Sequence, residues 1–247
     1  MANVTEGCPR ALRRGGGSAE RSVAASPPAW VLAPSDLTFL FEQCKGCFYR
    51  KLVLGRRRPS TPFPKIFSTI DRAMKDFYLG RRAEKLAVGA PAGVIGSPDR
   101  WVKSIPIPVL GSDRPVVFRG RLDAMVACDD QSVGVVDFKC TLPSDSHLPL
   151  FTRQLHAYAW ALEQPASGRP LHVSALGLLC FSPNTFEANG STGALVGELS
   201  WIDVPLEDEG FDAFLTEVVS LLEADPPTPA PDCHWCARAD RAFILVA

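Results

Sequence analysis

The sequence predicts an α/β fold, a mixed central sheet flanked by helices. Three observations lead there. Segments with apolar residues at helical spacing alternate along the chain with short apolar runs of strand length. Two of those runs, residues 116–126 and 133–139, are neighbours joined through the polar turn Asp129-Asp130-Gln131-Ser132, which suits a hairpin. The order helix, strands, helix, strand suits a mixed sheet covered by helices.

Residues 1–29 are rich in Gly, Ala, Ser, Arg and Pro and show no apolar period. They bury too little surface to offset ordering entropy and read as a disordered N-terminal tail. Order begins near Trp30-Val31-Leu32, and residues 30–224 read as one continuous domain. Residues 35–54 form a predicted helix with Ser35 as N-cap. Residues 64–79 form a second, in which Ile66, Ile70, Ala73, Met74 and Phe77 recur at helical spacing. A strand over 101–110 is confined to a sheet edge by Pro106 and Pro108. The two hairpin runs come next. Residues 150–163 form a helix with Phe151, Leu155, Tyr158 and Leu162 on one side. Residues 172–182 are a largely buried strand, 194–204 another, and 211–222 an amphipathic helix. A Pro-rich stretch then opens the C-terminal segment 225–247, which carries a Cys-x-x-Cys pair.

Composition narrows the function classes. Hydrophobic residues make up 46% of the 247, an ordinary globular fraction. No apolar run approaches the roughly 20 residues that cross a bilayer, and the first residues lack the compact apolar segment of a secretory signal. Glu6, Glu20 and the Gly15-Gly16-Gly17 triplet argue against a transit peptide. A cytoplasmic protein with no membrane association is expected. The net charge of -1 gives no global basic field. A nucleic-acid groove needs only a local cluster, which Arg56-Arg57-Arg58 and Arg81-Arg82 either supply or, as solvated surface charges, do not.

The residues that carry chemistry lie on the hairpin. Paired antiparallel, its strands bring Asp123 and Asp137 together near one end. Residues two apart on a strand share a face, so Asp137 and Lys139 point together while Phe138 points away. Asp137 ends the apolar run Val133-Gly134-Val135-Val136, where a charge is costly unless paired or metal-bound. Two carboxylates suit Mg²⁺, which takes oxygen ligands and keeps several waters. Such a metal lowers the pKa of bound water and neutralises charge on phosphate oxygens, and Lys139 would orient that water or stabilise the transition state. Further on, Gln154 and Tyr158 are four apart and share a helix face, within reach of the same site. Strand-end charges, a core Tyr158 and a solvated Gln154 are the plainer alternatives.

Taken in order, Gly120-Arg121-Leu122-Asp123, then Asp137-Phe138-Lys139, then Gln154-x-x-x-Tyr158 resembles the PD-(D/E)XK nuclease superfamily, in particular its RecB-like and CRISPR-adaptation exonucleases. The resemblance spans residues 35–236. It implies a restriction-endonuclease-like fold, dependence on Mg²⁺ or Mn²⁺, and hydrolysis of DNA phosphodiesters. It also implies Asp123 and Asp137 as metal ligands, Lys139 as the catalytic lysine, and Gln154 and Tyr158 as a branch-specific supporting pair. One departure stands out. The branch usually carries a metal-ligating His on its first core helix, and the segment Phe67-Ser68-Thr69-Ile70-Asp71-Arg72-Ala73-Met74-Lys75 has none. Either Asp71 stands in as an oxygen ligand, or it is a surface residue paired with Lys75 at i+4.

Cys44-Lys45-Gly46-Cys47 and Cys233-His234-Trp235-Cys236 are two Cys-x-x-Cys pairs, each able to turn both thiolates toward one metal. Together they point to a four-thiolate site that joins the two ends of the domain and holds Zn²⁺ or a [4Fe–4S] cluster. The resemblance favours a cluster by kinship, although the branch's usual division is one N-terminal and three C-terminal cysteines. Free thiols are the alternative in a reducing compartment. Cys8, Cys128, Cys140 and Cys180 read as small apolar residues.

The leading expectation is therefore a metal-dependent deoxyribonuclease acting on DNA, on single strands or ends, with a helicase or a repair or recombination protein as a possible partner. A nuclease-fold module that binds nucleic acid without cutting it is the second reading. An iron–sulfur redox protein is the third.

Overall fold

The computed structural model describes residues 27–59, 64–140, 142 and 144–238. The tail expected over 1–29 thus lies outside the described residues except for 27–29, as do residues 239–247 of the C-terminal segment. The strands are β1 (Trp30–Leu32), β2 (Gly93–Gly96), β3 (Arg100–Lys103), β4 (Val116–Leu122), β5 (Ala124–Cys128), β6 (Val133–Lys139), β7 (Val173–Asn189) and β8 (Thr192–Val204). The helices are α1 (Phe39–Gln43), α2 (Lys45–Leu52), α3 (Lys65–Tyr78), α4 (Leu148–Glu163) and α5 (Asp208–Glu223). Short 3-10 turns cover Pro34–Leu37 and Ala83–Lys85.

The expected mixed sheet flanked by helices is present, and it is curled. Three strands run in the order β1-β4-β3 and five in the order β2-β5-β6-β7-β8. Pairings β1–β4 and β6–β7 are parallel; the others are antiparallel. A single residue, Asp123, separates β4 from β5, so one stretch of chain leaves the first sheet and enters the second there. The run 116–126, read from sequence as one strand, is split at this point. Only its second half pairs with β6, in the register Ala124 with Val136 and Ala127 with Val133.

Side-chain alternation along β6 divides the core. Val133 and Val135 join a large cluster with Leu155 and Tyr158 of α4 and Phe211, Leu215 and Val218 of α5. Val136 and Phe138 join a second cluster with Met74 and Tyr78 of α3, where the Phe138 and Tyr78 rings stack at 5.7 Å. Fully burying an aliphatic side chain such as Leu155 stabilises the fold by roughly 1.5–3 kcal/mol. Asp137 shares the face of Val135 and is turned toward α4, whereas α3 covers the opposite face.

Four sequence expectations require correction. The helix over 35–54 is broken into the first 3-10 turn, α1 and α2, because Cys44 between them is extended (φ -162°, ψ 104°) and its sulfur caps α2 by accepting from the Cys47 N–H at 3.4 Å. Ser35 is inside the 3-10 turn rather than at an N-cap; its carbonyl accepts a hydrogen bond from the Thr38 hydroxyl at 2.6 Å. The strand at 101–110 stops at Lys103 and continues only as isolated bridges from Ser104 and Ile107, although β3 does lie at an edge. Finally, β7 and β8 extend past 182 and before 194 into a long hairpin whose outer half is exposed, with Phe186 and Leu195 open to solvent. Apolar patterning fades where burial ends, but the hydrogen-bonded ladder continues. Strand β2, four residues long, carries too short a pattern to read from sequence.

Candidate metal and catalytic site

The end of the β5–β6 hairpin gathers the acidic residues. Asp123 sits where the chain changes sheets, opposite Asp137 by continuation of the β5–β6 register. One Asp123 oxygen accepts the Phe138 N–H at 2.9 Å, which fixes the carboxylate across the hairpin. Its other oxygen accepts from Lys75 Nζ at 2.9 Å. Asp137 is buried, at 4% exposure. Its Oδ1 accepts from Gln154 Nε2 at 3.0 Å. Its Oδ2 accepts no hydrogen bond and faces the Lys139 ammonium as an ion pair. Lys139 also lies over the Phe151 ring, 4.1 Å from its centroid.

Helix α4 supplies the next layer. Gln154 and Tyr158 lie one turn apart, and both point at the hairpin end. The Tyr158 hydroxyl donates to the Arg121 carbonyl at 2.8 Å, two residues before Asp123. Gly120 makes that approach possible. A Cβ there would stand 2.8 Å from Pro34 Cδ and 3.1 Å from the Tyr158 ring. The structure thus brings Asp123, Asp137, Lys139 and Gln154 into one contact set and places Tyr158 as a brace on its backbone.

Asp71 reaches the same place through a cation. Lys75 is buried, 8% exposed, and its ammonium contacts Asp71 at 3.0 Å, Asp99 at 3.0 Å and Asp123 at 2.9 Å. The pairing of Asp71 with Lys75 at i+4 is present, and Lys75 in turn joins Asp71 to Asp123. Asp99 and the burial of Lys75 are not legible in the sequence. Asp99 is a turn residue between β2 and β3 with φ 55°, held by its N–H to the Asp123 carbonyl at 3.0 Å. Only the fold brings that turn to α3.

Charge state follows from these contacts. Burial pushes the Asp137 carboxyl up to about 6; Lys139 opposes this, and the neighbouring Asp123 charge reinforces it. For Lys75 burial acts downward, but the hydrogen bond and charge of Asp123, helped by Asp99 and Asp71, outweigh it and raise the ammonium above the ordinary lysine value. Burial, then Asp137 and Asp123, raise the Tyr158 hydroxyl, so it stays a neutral donor.

Does a divalent cation fit? The donors are hard oxygens, and one of them, the buried Oδ2 of Asp137, has the Lys139 ammonium as its partner rather than a neutral hydrogen-bond donor. Asp123 already holds a cation in the form of Lys75. Carboxylates that attract ammonium groups from two elements have the field that Mg²⁺ or Mn²⁺ requires. The set fits.

A second centre is built from the two ends of the domain. Cys44, Cys47, Cys233 and Cys236 are all buried, and their sulfurs lie within 4.8 Å of one another. Separations are 3.8 Å for Cys44–Cys236, 3.5 Å for Cys47–Cys233 and 3.4 Å for Cys47–Cys236. Burial acts to raise the Cys44 thiol, but N–H groups of Ala230 and Cys47 donate to its sulfur and bring it down to about 7. Burial and the adjacent sulfurs push the Cys236 thiol well above the ordinary range. With the Cys44 thiol lowered and those of Cys47 and Cys236 raised, the crowded sulfurs resist joint ionisation, which a bound metal ion would relieve. Cys180, by contrast, is buried in the large apolar cluster, as expected of a small apolar residue.

Among the described residues no helix is long and apolar enough to cross a membrane. The sequence model of the PD-(D/E)XK nuclease superfamily matches residues 63–241. No curated protein matches the chain. A solved structure titled "Crystal structure of SSO0001" is similar over 80% of this chain and 79% of its own, at 15% identity and a TM-score of 0.41.

Proposed function

The chain belongs to the PD-(D/E)XK nuclease superfamily, and from that premise we propose that it is a metal-dependent nuclease that hydrolyses DNA phosphodiester bonds at the Asp123–Asp137–Lys139 site. The observation that carries this reading is the single contact set in which Gln154 holds Asp137, Asp137 faces Lys139, and Asp123 is pinned across the hairpin by the Phe138 N–H. The Gln154–Tyr158 spacing supports a place near the RecB-like and CRISPR-adaptation branch.

Asp123 and Asp137 would hold Mg²⁺ or Mn²⁺, with Asp71 contributing from α3. Once bound, the metal supplies a more acidic water and charge neutralisation at the phosphate. The protein groups do the rest. Gln154 fixes the Asp137 carboxylate so that one oxygen remains directed at the site. Lys139, an ammonium over the Phe151 ring, is placed to orient the attacking water and to balance charge developing on the phosphate. Tyr158 locks the backbone just before Asp123. The test is cleavage of labelled single- and double-stranded DNA with Mg²⁺ or Mn²⁺. Asp137→Ala and Lys139→Ala should abolish it, and cutting that survives both changes would remove the assignment.

A second reading rests on Lys75. Its ammonium sits among Asp71, Asp99 and Asp123, so the chain supplies from within a cation that shares the metal's ligand. A module that binds DNA without cutting it would keep such an arrangement. Lys75→Met separates the two readings: tighter Mn²⁺ binding with active wild type supports the enzyme, while salt-sensitive DNA binding without cleavage in either protein supports the binding module.

For the four cysteines we propose a single Zn²⁺ with a structural role. A tetrahedral ion with Zn–S bonds of about 2.3 Å spaces its sulfurs by about 3.8 Å, close to the observed separations. A [4Fe–4S] cluster puts a separate iron behind each sulfur and would spread them further. Elemental analysis and the visible spectrum of anaerobically purified protein distinguish the two.

A further inference from the structure

Beside the four-cysteine centre lies a cleft of about 310 Å³ lined, among the described residues, by Arg50, Arg56, Arg57, Arg58 and Arg238, with Trp235 on its wall and no acidic residue among the described lining. We propose that this cleft is a binding site for the backbone of single-stranded nucleic acid, with Trp235 as a face on which a base stacks. The proposal rests on the nuclease reading above, for which it supplies a route by which the strand is held.

Two local features of the chain concentrate the charge of the cleft. After α2 the backbone reverses at Gly55, whose φ of 66° is a left-handed conformation that glycine adopts without strain. The reversal returns the Arg56 N–H to the Arg50 carbonyl at 2.8 Å and lays the triplet Arg56-Arg57-Arg58 back over α2. Arg58 is then anchored by Gln43 at 2.9 Å and lies 4.0 Å from the Cys233 sulfur. Trp235 and Arg238 arrive from the other end of the chain through the Cys-x-x-Cys turn. The same sulfurs that join the chain ends therefore assemble a concave surface from two distant segments.

Its chemistry selects the ligand. All five cations are guanidiniums and none is an ammonium. The planar fork of arginine matches phosphate oxygens two at a time, and an aromatic face beside a basic groove is the usual arrangement for single strands. The chain as a whole is at -1, so this concentration is local. The cleft also lies within reach of the acidic site. Pro59 lines it, and Phe67, whose carbonyl contacts the Cys140 sulfur next to Lys139, is eight residues further on. Eight residues span at most about 29 Å, a distance one strand of several nucleotides can bridge.

The experiment uses the full chain as purified, its four-cysteine centre intact and no Mg²⁺ or Mn²⁺ added, with a fluorescent single-stranded oligonucleotide followed by anisotropy across a salt series. Arg57→Gln with Arg238→Gln should weaken binding at least tenfold and lessen the slope of log affinity against log salt by about 0.7 for each phosphate no longer neutralised. Trp235→Ala should weaken binding with the slope unchanged. With metal added, the arginine double variant should cut the oligonucleotide poorly yet hydrolyse bis(p-nitrophenyl) phosphate as the wild type does, because that small diester does not need the cleft. An unchanged affinity and slope in the double variant overturns the proposal. So does loss of binding to poly-glutamate with oligonucleotide binding intact, which would mark the cleft as a site for an acidic protein. If no diester is cut by any form but the arginine dependence of binding holds, the nuclease reading fails and the cleft stands.

Discussion

The carboxylate site holds cations among its acids, whereas the four-cysteine centre has arginines at its edge. At the hairpin end, Lys75 meets three carboxylates and Lys139 faces a fourth, so two ammonium groups of the chain offset about half of the acidic charge. At the cysteines Arg58 comes within 4.0 Å of one sulfur through its Nη2, and other arginines line the adjoining cleft. On the proposed reading, the first site would fold without metal and use metal for chemistry. The second packs four sulfurs together, and its cohesion would rest on the ion they hold. The proposed metals thus divide into one for the reaction and one for the fold.

The sharpest way to break this comparison is at the cysteines. Cys236→Ser and Cys44→Ser should each destabilise the domain by several kcal/mol, out of an ion contribution on the order of 10 kcal/mol. Thermal melts of both variants read the effect, and wild-type melting temperatures would contradict a structural role. Next in size, Asp137→Ala should lower DNA cleavage by about 10³-fold, or about 4 kcal/mol of transition-state stabilisation, while the melting temperature without added Mg²⁺ or Mn²⁺ stays near that of the wild type. A large loss of stability there would mean that the acidic site also holds the fold.

A third test uses pH with no Mg²⁺ or Mn²⁺ added and the four-cysteine centre intact. The folded Asp137 carboxyl lies at about 6, above its ordinary 3.8. Its contribution to stability is thus fully present below about pH 4 and is lost as pH rises through 6. Asp137→Asn does not titrate, so without added Mg²⁺ or Mn²⁺ it should be the more stable protein above pH 6, by up to about 3 kcal/mol. That advantage should shrink as pH falls toward 4. Denaturant melts at pH 4, 6 and 8 measure it, and a pH-independent difference would refute the burial account. The smallest effect expected is that of Gln154→Ala, which removes the hydrogen bond to Asp137. A loss of about 10- to 100-fold in activity is anticipated, with rescue in Gln154→Asn only if the shorter amide still reaches Asp137 Oδ1.

Much of this arrangement could be read before folding, and the reason is local geometry. Strand alternation places Asp137 with Lys139, helical spacing places Gln154 with Tyr158, and Cys-x-x-Cys turns place sulfurs in pairs. Each is a relation within a few residues. What escaped reading depends on tertiary meetings. Lys75 looks like half of a surface ion pair until α3 covers the sheet and buries it against Asp99 and Asp123. The break at Cys44 escapes helical periodicity because a sulfur, rather than a change in apolar spacing, ends the helix. The outer half of the β7–β8 hairpin lies outside any apolar pattern because main-chain pairing alone extends it.

The contact between Cys44 and Cys236 closes a loop of 192 residues. In polymer terms an ion that remains on these thiolates turns the unfolded chain into a ring with two tails. For a covalent link, ring closure of that length removes denatured-state entropy worth about 5 kcal/mol. Unfolding with metal retained and unfolding with metal stripped would then start from one native state and end in two ensembles of different size. The denaturant dependence of the transition should differ between them, since the stripped chain exposes more surface on opening.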